Sequence, residues 1–176
     1  MSSSQAKKTI QAAIDAAANG DTILVAAGTY APIVSNNKKI KIEGLHGAIE
    51  TIIDAHGVGR CATLGSDNAG AQRRTYLIGF TLQNAKIAAN GGGVLGGTID
   101  RCIIRNCVAD GNSGGAARNS EMWNSLLYGN SAINGGALSA CDVSGCTLVR
   151  NSARDAGGAM YGGNMQNSIV WDNSSS

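Results

Sequence analysis

The sequence predicts an all-β chain: a right-handed parallel β-helix, a solenoid of coils of about 22 residues with an N-terminal α-helical cap. Three observations predict it. Gly-Gly pairs recur at Gly92-Gly93, Gly114-Gly115, Gly135-Gly136 and Gly157-Gly158, at intervals of 22, 21 and 22 residues. A period of that size marks repeating coils, each unable to bury its apolar face alone. An aliphatic column keeps the same beat: Leu82, Ile104, Leu127, Leu148 and Val170. Two residues earlier in each coil stand Phe80, Cys102, Ser125, Cys146 and Ser168, and strand alternation turns both columns inward. Finally, 25 Gly, one Pro, two Trp, four Tyr and one Phe in 176 residues describe a turn-rich chain with small side chains in tight places.

Residues 1–176 read as a single domain: a capping helix at 7–20, coils at 21–173 and a tail at 174–176. Thr9 to Ala18 places Ile10, Ala13, Ile14 and Ala17 on one helical face, and Asn19-Gly20 ends it. Thr22 to Val25 follows as a strand and Gly28-Thr29-Tyr30 as a turn. A solenoid end exposes core and unpaired backbone, so this helix is its cap. Ile40/Ile42, Ile52/Ile53, Ala62/Leu64 and Ile78/Phe80 mark further strands, and Ser66 to Arg74 a protruding loop.

From there the register sharpens. A second strand column is Ile99, Met122, Val143 and Met165, with the small residues Gly97, Ser120, Cys141 and Gly163 two positions earlier. A third reads Leu95, Ala117, Leu138 and Met160. Three short strands per coil result. Asn130, Asn151 and Asn173 fall three residues past the aliphatic column, with Cys107 at that place in an earlier coil. Asn tolerates left-handed backbone and stacks into amide ladders. The Gly and Asn columns are read as structural, because a phosphate-cradling loop needs a following helix and none is signalled. No matching cap is signalled at the far end, where Val170-Trp171 still follows the coil pattern.

A net charge of +2 gives no argument for nucleic acid. The runs Lys38-Lys39-Lys41 and Arg73-Arg74 read as solvated surface. No apolar run is long enough for a transmembrane helix, so no membrane insertion is expected. The start lacks the apolar core of a signal peptide; cytosolic synthesis or a trimmed chain both fit. The five cysteines read as small buried core residues. Cys102 and Cys146 share a column two coils apart, about 9–10 Å, beyond disulfide reach. Metal-ligand spacing is absent, and no cofactor is expected.

Thr9-Ile10-Gln11-Ala12-Ala13-Ile14-Asp15-Ala16-Ala17, with Gly20-Asp21-Thr22-Ile23 and Gly28-Thr29-Tyr30, resembles the N-terminal cap and first coil of pectate-lyase-like right-handed β-helix proteins. Gly79-Phe80-Thr81-Leu82-Gln83-Asn84 is similar to a common coil sequence of that superfamily. Gly135-Gly136-Ala137-Leu138 and Cys146 through Ala153 resemble repeats of polymorphic outer membrane proteins. The likeness spans about residues 7 to 173. It implies a secreted or cell-surface parent protein, while the missing signal peptide leaves a cytosolic location open. It does not select an activity, since the superfamily holds polysaccharide lyases, hydrolases, tailspikes and adhesins.

Enzymes of that superfamily work on the outer face of one sheet. The outward column Thr98, Glu121, Asp142, Asn164 puts Glu121 and Asp142 on adjacent coils, about 5 Å apart, with Asp100 diagonal to Glu121. Such carboxylates can share a proton, hold Ca²⁺ or serve as a glycosidase pair; two solvated acids is the plainer reading. Asp100, Glu121, Asp142 and Arg101 are thus the catalytic candidates, although Arg101 sits toward a turn and the lyase pattern is not matched residue by residue. On another face Ile103, Leu126, Ile169, Tyr128, Val149 and Trp171 point outward as an apolar patch, large for a soluble monomer. That patch predicts a covered face: a second copy, an absent part of the chain, or a polysaccharide stacked on Tyr128 and Trp171. The expected function is a non-catalytic structural or binding module, self-associating through this face or the open C-terminal end; the alternative is a carbohydrate-active enzyme.

Overall fold

The computed structural model describes residues 6–67 and 75–176. They form a parallel β-solenoid of about seven turns with one short helix near the N-terminus. Every strand-to-strand pairing is parallel, and the described strands fall into three sheets of 11, 7 and 5 strands, here A, B and C. One continuous core runs through the stack, from Ile10 and Ile14 of the helix to Leu148 in the penultimate coil.

The aliphatic column of the sequence lies inside sheet B. Ile104 stands opposite Leu82 and Leu127, Leu127 opposite Leu148, and Leu148 opposite Val170. Leu82, Ile104, Leu127 and Leu148 are fully buried. Ile53 extends the column toward the N-terminus. The small column beside it forms a hydrogen-bond ladder. The amides of Phe80, Cys102, Ser125 and Cys146 donate in turn to Cys102 Sγ (3.4 Å), Ser125 Oγ (3.1 Å), Cys146 Sγ (3.5 Å) and Ser168 Oγ (3.1 Å). Each inward side chain thus satisfies a backbone donor of the preceding coil. All five cysteines are buried free thiols.

Several sequence expectations shift. The middle coils carry four strand segments rather than three, because sheet A takes two strands from each coil. From Leu138–Ser144 onward these two fuse into one long strand, which pairs with Met160–Gln166. The third column begins at Val94, not Leu95: Val94 pairs with Ala117, and Ala117 with Leu138. The glycine beat moves with it. Gly91, Gly114, Gly135 and Gly157 share a positive φ of 63–74°, so Gly91-Gly92 is the equivalent pair and the first interval is one residue longer. Gly28–Tyr30 is a strand rather than a turn, paired with Thr51–Ile53. Ser174–Ser175, read as tail, pairs with Ser152–Ala153 in sheet C. Residues 68–74 of the expected loop, including Arg73-Arg74, lie outside the described residues.

The cap is shorter than 7–20: the helix spans Ile10–Ala16. Thr9 caps it, its Oγ1 accepting the Ala12 amide at 3.1 Å. Ile10 and Ile14 plug the end of the core. Gln11 works as a piece of strand edge, its Oε1 accepting the Val34 amide at 2.8 Å and its Nε2 donating to the Val34 carbonyl at 3.1 Å. Lys38 Nζ closes the other end of the helix, donating to the carbonyls of Ile14, Asp15 and Ala17 at 2.7, 3.0 and 2.8 Å. That helix is too short to cross a membrane, and no other helix occurs among the described residues.

Candidate functional site

Three surfaces carry the predicted site residues. The first is the outer face of sheet A. Its strands present two outward columns: Tyr76, Thr98, Glu121, Asp142, Asn164, and Asp100, Trp123, Ser144, Gln166. Glu121 and Asp142 are direct cross-strand partners. Thr98 Oγ1 donates to Glu121 Oε2 at 3.1 Å, and Asn164 Nδ2 donates to Asp142 Oδ1 at 2.9 Å. Asn164 therefore offers Asp142 its NH₂ rather than its carbonyl oxygen. Ca²⁺ takes six to eight oxygens, and among the described residues no three His, Cys, Asp or Glu side chains gather at one point.

Asp100 and Arg101 sit at the side of this face. Asp100 accepts from Asn124 Nδ2 at 3.0 Å and from Arg101 Nε at 3.2 Å. The Arg101 guanidinium also approaches Glu43 at 3.8 Å, and Glu43 pairs with Lys41 at 2.6 Å. Arg101 occupies the turn the sequence suggested, with φ of 51°. Its charge is spent along the sheet edge on Asp100 and Glu43. As partly exposed pairs, these bridges organise the surface more than they stabilise it.

Trp123 is the residue the sequence reading missed. It lies two positions after Glu121, on the same face, directly opposite Asp100 and Ser144, and is 42% exposed. It walls a shallow recess of about 330 Å³ shared with Asp142, Ser144, Asn164 and Gln166. Tyr76, 40% exposed, opens on the same face two coils earlier. Strand alternation from Glu121 was the available signal.

The second surface is the outer face of sheet B. Ile103 and Leu126 pair across it, as do Tyr128 and Val149. All four are half-buried, whereas Ile169 and Trp171 in the last coil are 64% and 61% exposed. A polar chain interrupts the patch. Arg105 donates from Nη1 to the Tyr128 hydroxyl at 2.9 Å and from Nη2 to Gln83 Oε1 at 2.6 Å; Gln83 Nε2 donates to Asp54 Oδ2 at 2.6 Å. Burial pushes the Asp54 carboxyl up, but bonds from Gln83, the His56 amide and Asn84 outweigh it and leave the group below its ordinary value. Trp171 lies under the Arg150 guanidinium, 6.0 Å from its ring centre.

The third surface is the last coil. Met160–Gln166, Ile169–Trp171 and Ser174–Ser175 each end their sheet path, pairing on one side only. Core-column residues surface here: Val170 is 49% exposed, and Met160 and Met165 are half-buried around an open hollow that Val170 also lines.

No family model matches the chain, and comparisons with curated proteins and with solved structures give no match either. The geometry of these surfaces is therefore the ground for a functional reading.

Proposed function

We propose that the chain is a non-catalytic structural or binding module that associates through the apolar outer face of sheet B. One observation carries this reading: on that face Ile103, Leu126, Tyr128 and Val149 pair across successive coils and are half-buried, with Ile169 and Trp171 exposed beside them. A contiguous apolar surface of this kind marks a face that a partner covers. The resemblance to pectate-lyase-like solenoids and to polymorphic outer membrane repeats supports a secreted or surface parent protein. The test is sedimentation of the chain across concentration, beside Ile169→Lys and Trp171→Lys. Association of the unaltered chain that both lysines weaken is the expected result, and a monomer throughout would sink the reading.

A second reading has its own observation. Trp123 stands exposed beside Asp142 and opposite Asp100, and an aromatic platform flanked by carboxylates and amides suits a sugar ring. In this reading the face binds or cleaves a polysaccharide, with Asp100, Glu121, Asp142 and Arg101 as the acting groups. A screen of acidic polysaccharides with and without Ca²⁺, watching for new unsaturated ends, tests it. Retained binding by Trp123→Ala would count against it.

A further inference from the structure

Building on the polysaccharide reading of sheet A above, we infer that the ligand of that face is an uncharged glycan, laid along the solenoid axis across Tyr76 and Trp123. The strands that carry these rings, Tyr76–Ile78 and Glu121–Trp123, are paired on both sides, and so is Thr98–Asp100 between them. The exposure of the two side chains, 40% and 42%, is therefore a property of the interior of the stack.

The rings stand two coils apart in neighbouring outward columns. Tyr76 is in line with Thr98 and Glu121, and Trp123 with Asp100 and Ile78. Two coil steps and two residues along a strand put their Cα atoms about 12 Å apart. One sugar ring cannot cover both, so a ligand that uses both is a chain of sugars. The floor between them is low, since Thr98 and Ile78 are buried. Each ring offers a flat apolar surface to the C–H face of a sugar and a polar tip to its hydroxyls.

Charge decides what kind of chain fits. The two outward columns hold the carboxylates of Glu43, Asp100, Glu121 and Asp142, with Lys41 as their cation. Arg101 joins them from the turn. Both cations already lie against carboxylates, Lys41 on Glu43 at 2.6 Å and Arg101 on Asp100 at 3.2 Å. The whole chain carries +2, yet this face is negative. A uronate polymer would bring further carboxylates into that field, and like charges brought together oppose binding. A neutral glycan brings hydroxyl donors instead, and an ionised carboxylate is an acceptor-only group that takes them in charge-assisted bonds. The face already uses this chemistry: the Thr98 hydroxyl donates to Glu121 at 3.1 Å and the Asn164 amide to Asp142 at 2.9 Å. A neutral glycan also lacks the carboxyl group that acidifies the proton an elimination removes, so the inference assigns the face to binding rather than to elimination.

The test is isothermal titration calorimetry of the whole chain at low salt, with cellohexaose, xylohexaose and mannohexaose against hexagalacturonate. A neutral hexamer should bind, hexagalacturonate should not, and added salt should leave the neutral affinity unchanged. Trp123→Ala and Tyr76→Ala, each with unchanged circular dichroism, should weaken the neutral hexamer about tenfold or more. The matching disaccharide, too short to reach both rings, should also bind about tenfold or more weakly than the hexamer. Preference for hexagalacturonate would overturn the uncharged ligand while leaving the polysaccharide reading standing. Neutral binding that both alanine variants keep would place the glycan off this face and overturn the inference. Binding of none of the four hexamers would overturn both the inference and the reading beneath it.

Discussion

The backbone amide of Asn130 donates to Asn151 Oδ1 at 3.0 Å, and the Asn130 side-chain Nδ2 reaches the same oxygen at 2.9 Å. The pattern repeats on both sides. The Cys107 amide donates to Asn130 Oδ1, and the Asn151 amide and Nδ2 both donate to Asn173 Oδ1. Asn151 Nδ2 also reaches the Leu127 carbonyl at 3.0 Å. One buried side chain thus serves three coils. Asn151→Ala strands two donors of Asn130 and takes the side-chain donor away from the Leu127 carbonyl in the interior, and should cost about 2–4 kcal/mol. Urea unfolding reads this. Asn151→Asp should also destabilise, since a carboxylate has no NH₂ for the Leu127 carbonyl. A loss below about 1 kcal/mol for Asn151→Ala would mean that water replaces the ladder.

The glycine beat makes a prediction with an internal control. A Cβ on Gly136 would run into the backbone of Gly158 and Ser152 in the next coil, while a Cβ on Gly111 would meet nothing. Gly111 has only its φ of 81° against it. Gly136→Ala should therefore cost about 3 kcal/mol or more through forced separation of coils, and Gly111→Ala about 1–2 kcal/mol through backbone strain alone. Thermal melts of the two variants should differ clearly, and equal shifts would remove close coil contact as the reason for the beat.

What the sequence revealed follows from which forces are periodic. Inward columns repeat with both the strand and the coil, so Leu82 through Val170 could be aligned and all pair as expected. The first beat slipped because Gly91-Gly92-Gly93 offers two pairs, and only the φ of Gly91 selects between them. Gly28–Tyr30 looked like a turn by composition, yet the neighbouring strand Thr51–Asp54 recruits it as an edge. The fused strand at Leu138–Ser144 lacks a sequence mark, because Ala140 takes φ of 52° where another coil uses glycine. On the surface no such pressure operates. The acidic column of Glu121 and Asp142 was found by alternation, but Trp123 stands alone among Asp100, Ser144 and Gln166, so no repeat announced it.

The inside and outside of sheet B differ by one residue. Leu127 is fully buried, whereas Leu126 is half-buried on the outer face. Leu127→Ala should cost about 2–5 kcal/mol, as deletion of a fully buried aliphatic does. Leu126→Ala in a monomeric background should cost under about 1 kcal/mol. If Leu126→Ala proves costly only at high protein concentration, that face contributes to an interface.

Asp54 sets an acid limit. Its folded-state value lies below the unfolded one, because hydrogen bonds from Gln83, His56 and Asn84 outweigh the effect of burial. A depressed carboxylate contributes stability above its unfolded value of 3.8, and that contribution disappears as pH falls through the folded value. Stability should drop below about pH 4. Asp54→Asn should be less stable than the unaltered chain at pH 7 and should lose less on acidification. Parallel pH profiles for the two would remove Asp54 from the account.

The cysteines set the alkaline limit, with the opposite sign. Burial pushes the Cys102 thiol up to about 12, against a weaker opposing pull from the Phe80 amide. The contact with Cys107 and then burial raise Cys61, and burial raises Cys146. A thiol whose folded value is raised contributes stability that is complete below its unfolded value of 9.0 and is lost as pH climbs toward the folded value. The unfolding midpoint should therefore fall between about pH 9 and pH 12. Lys and Tyr also titrate in that window, so the comparison is with Cys102→Ala, whose profile should be flatter by one titrating group. The same burial predicts reactivity. At pH 8 a thiol reagent should modify none of the five cysteines in the folded chain and all five in guanidinium. Rapid labelling of Cys102 or Cys146 in the folded chain would mean that the Ser-Cys ladder opens on the timescale of the reaction, which a continuous stack of hydrogen-bonded coils should prevent.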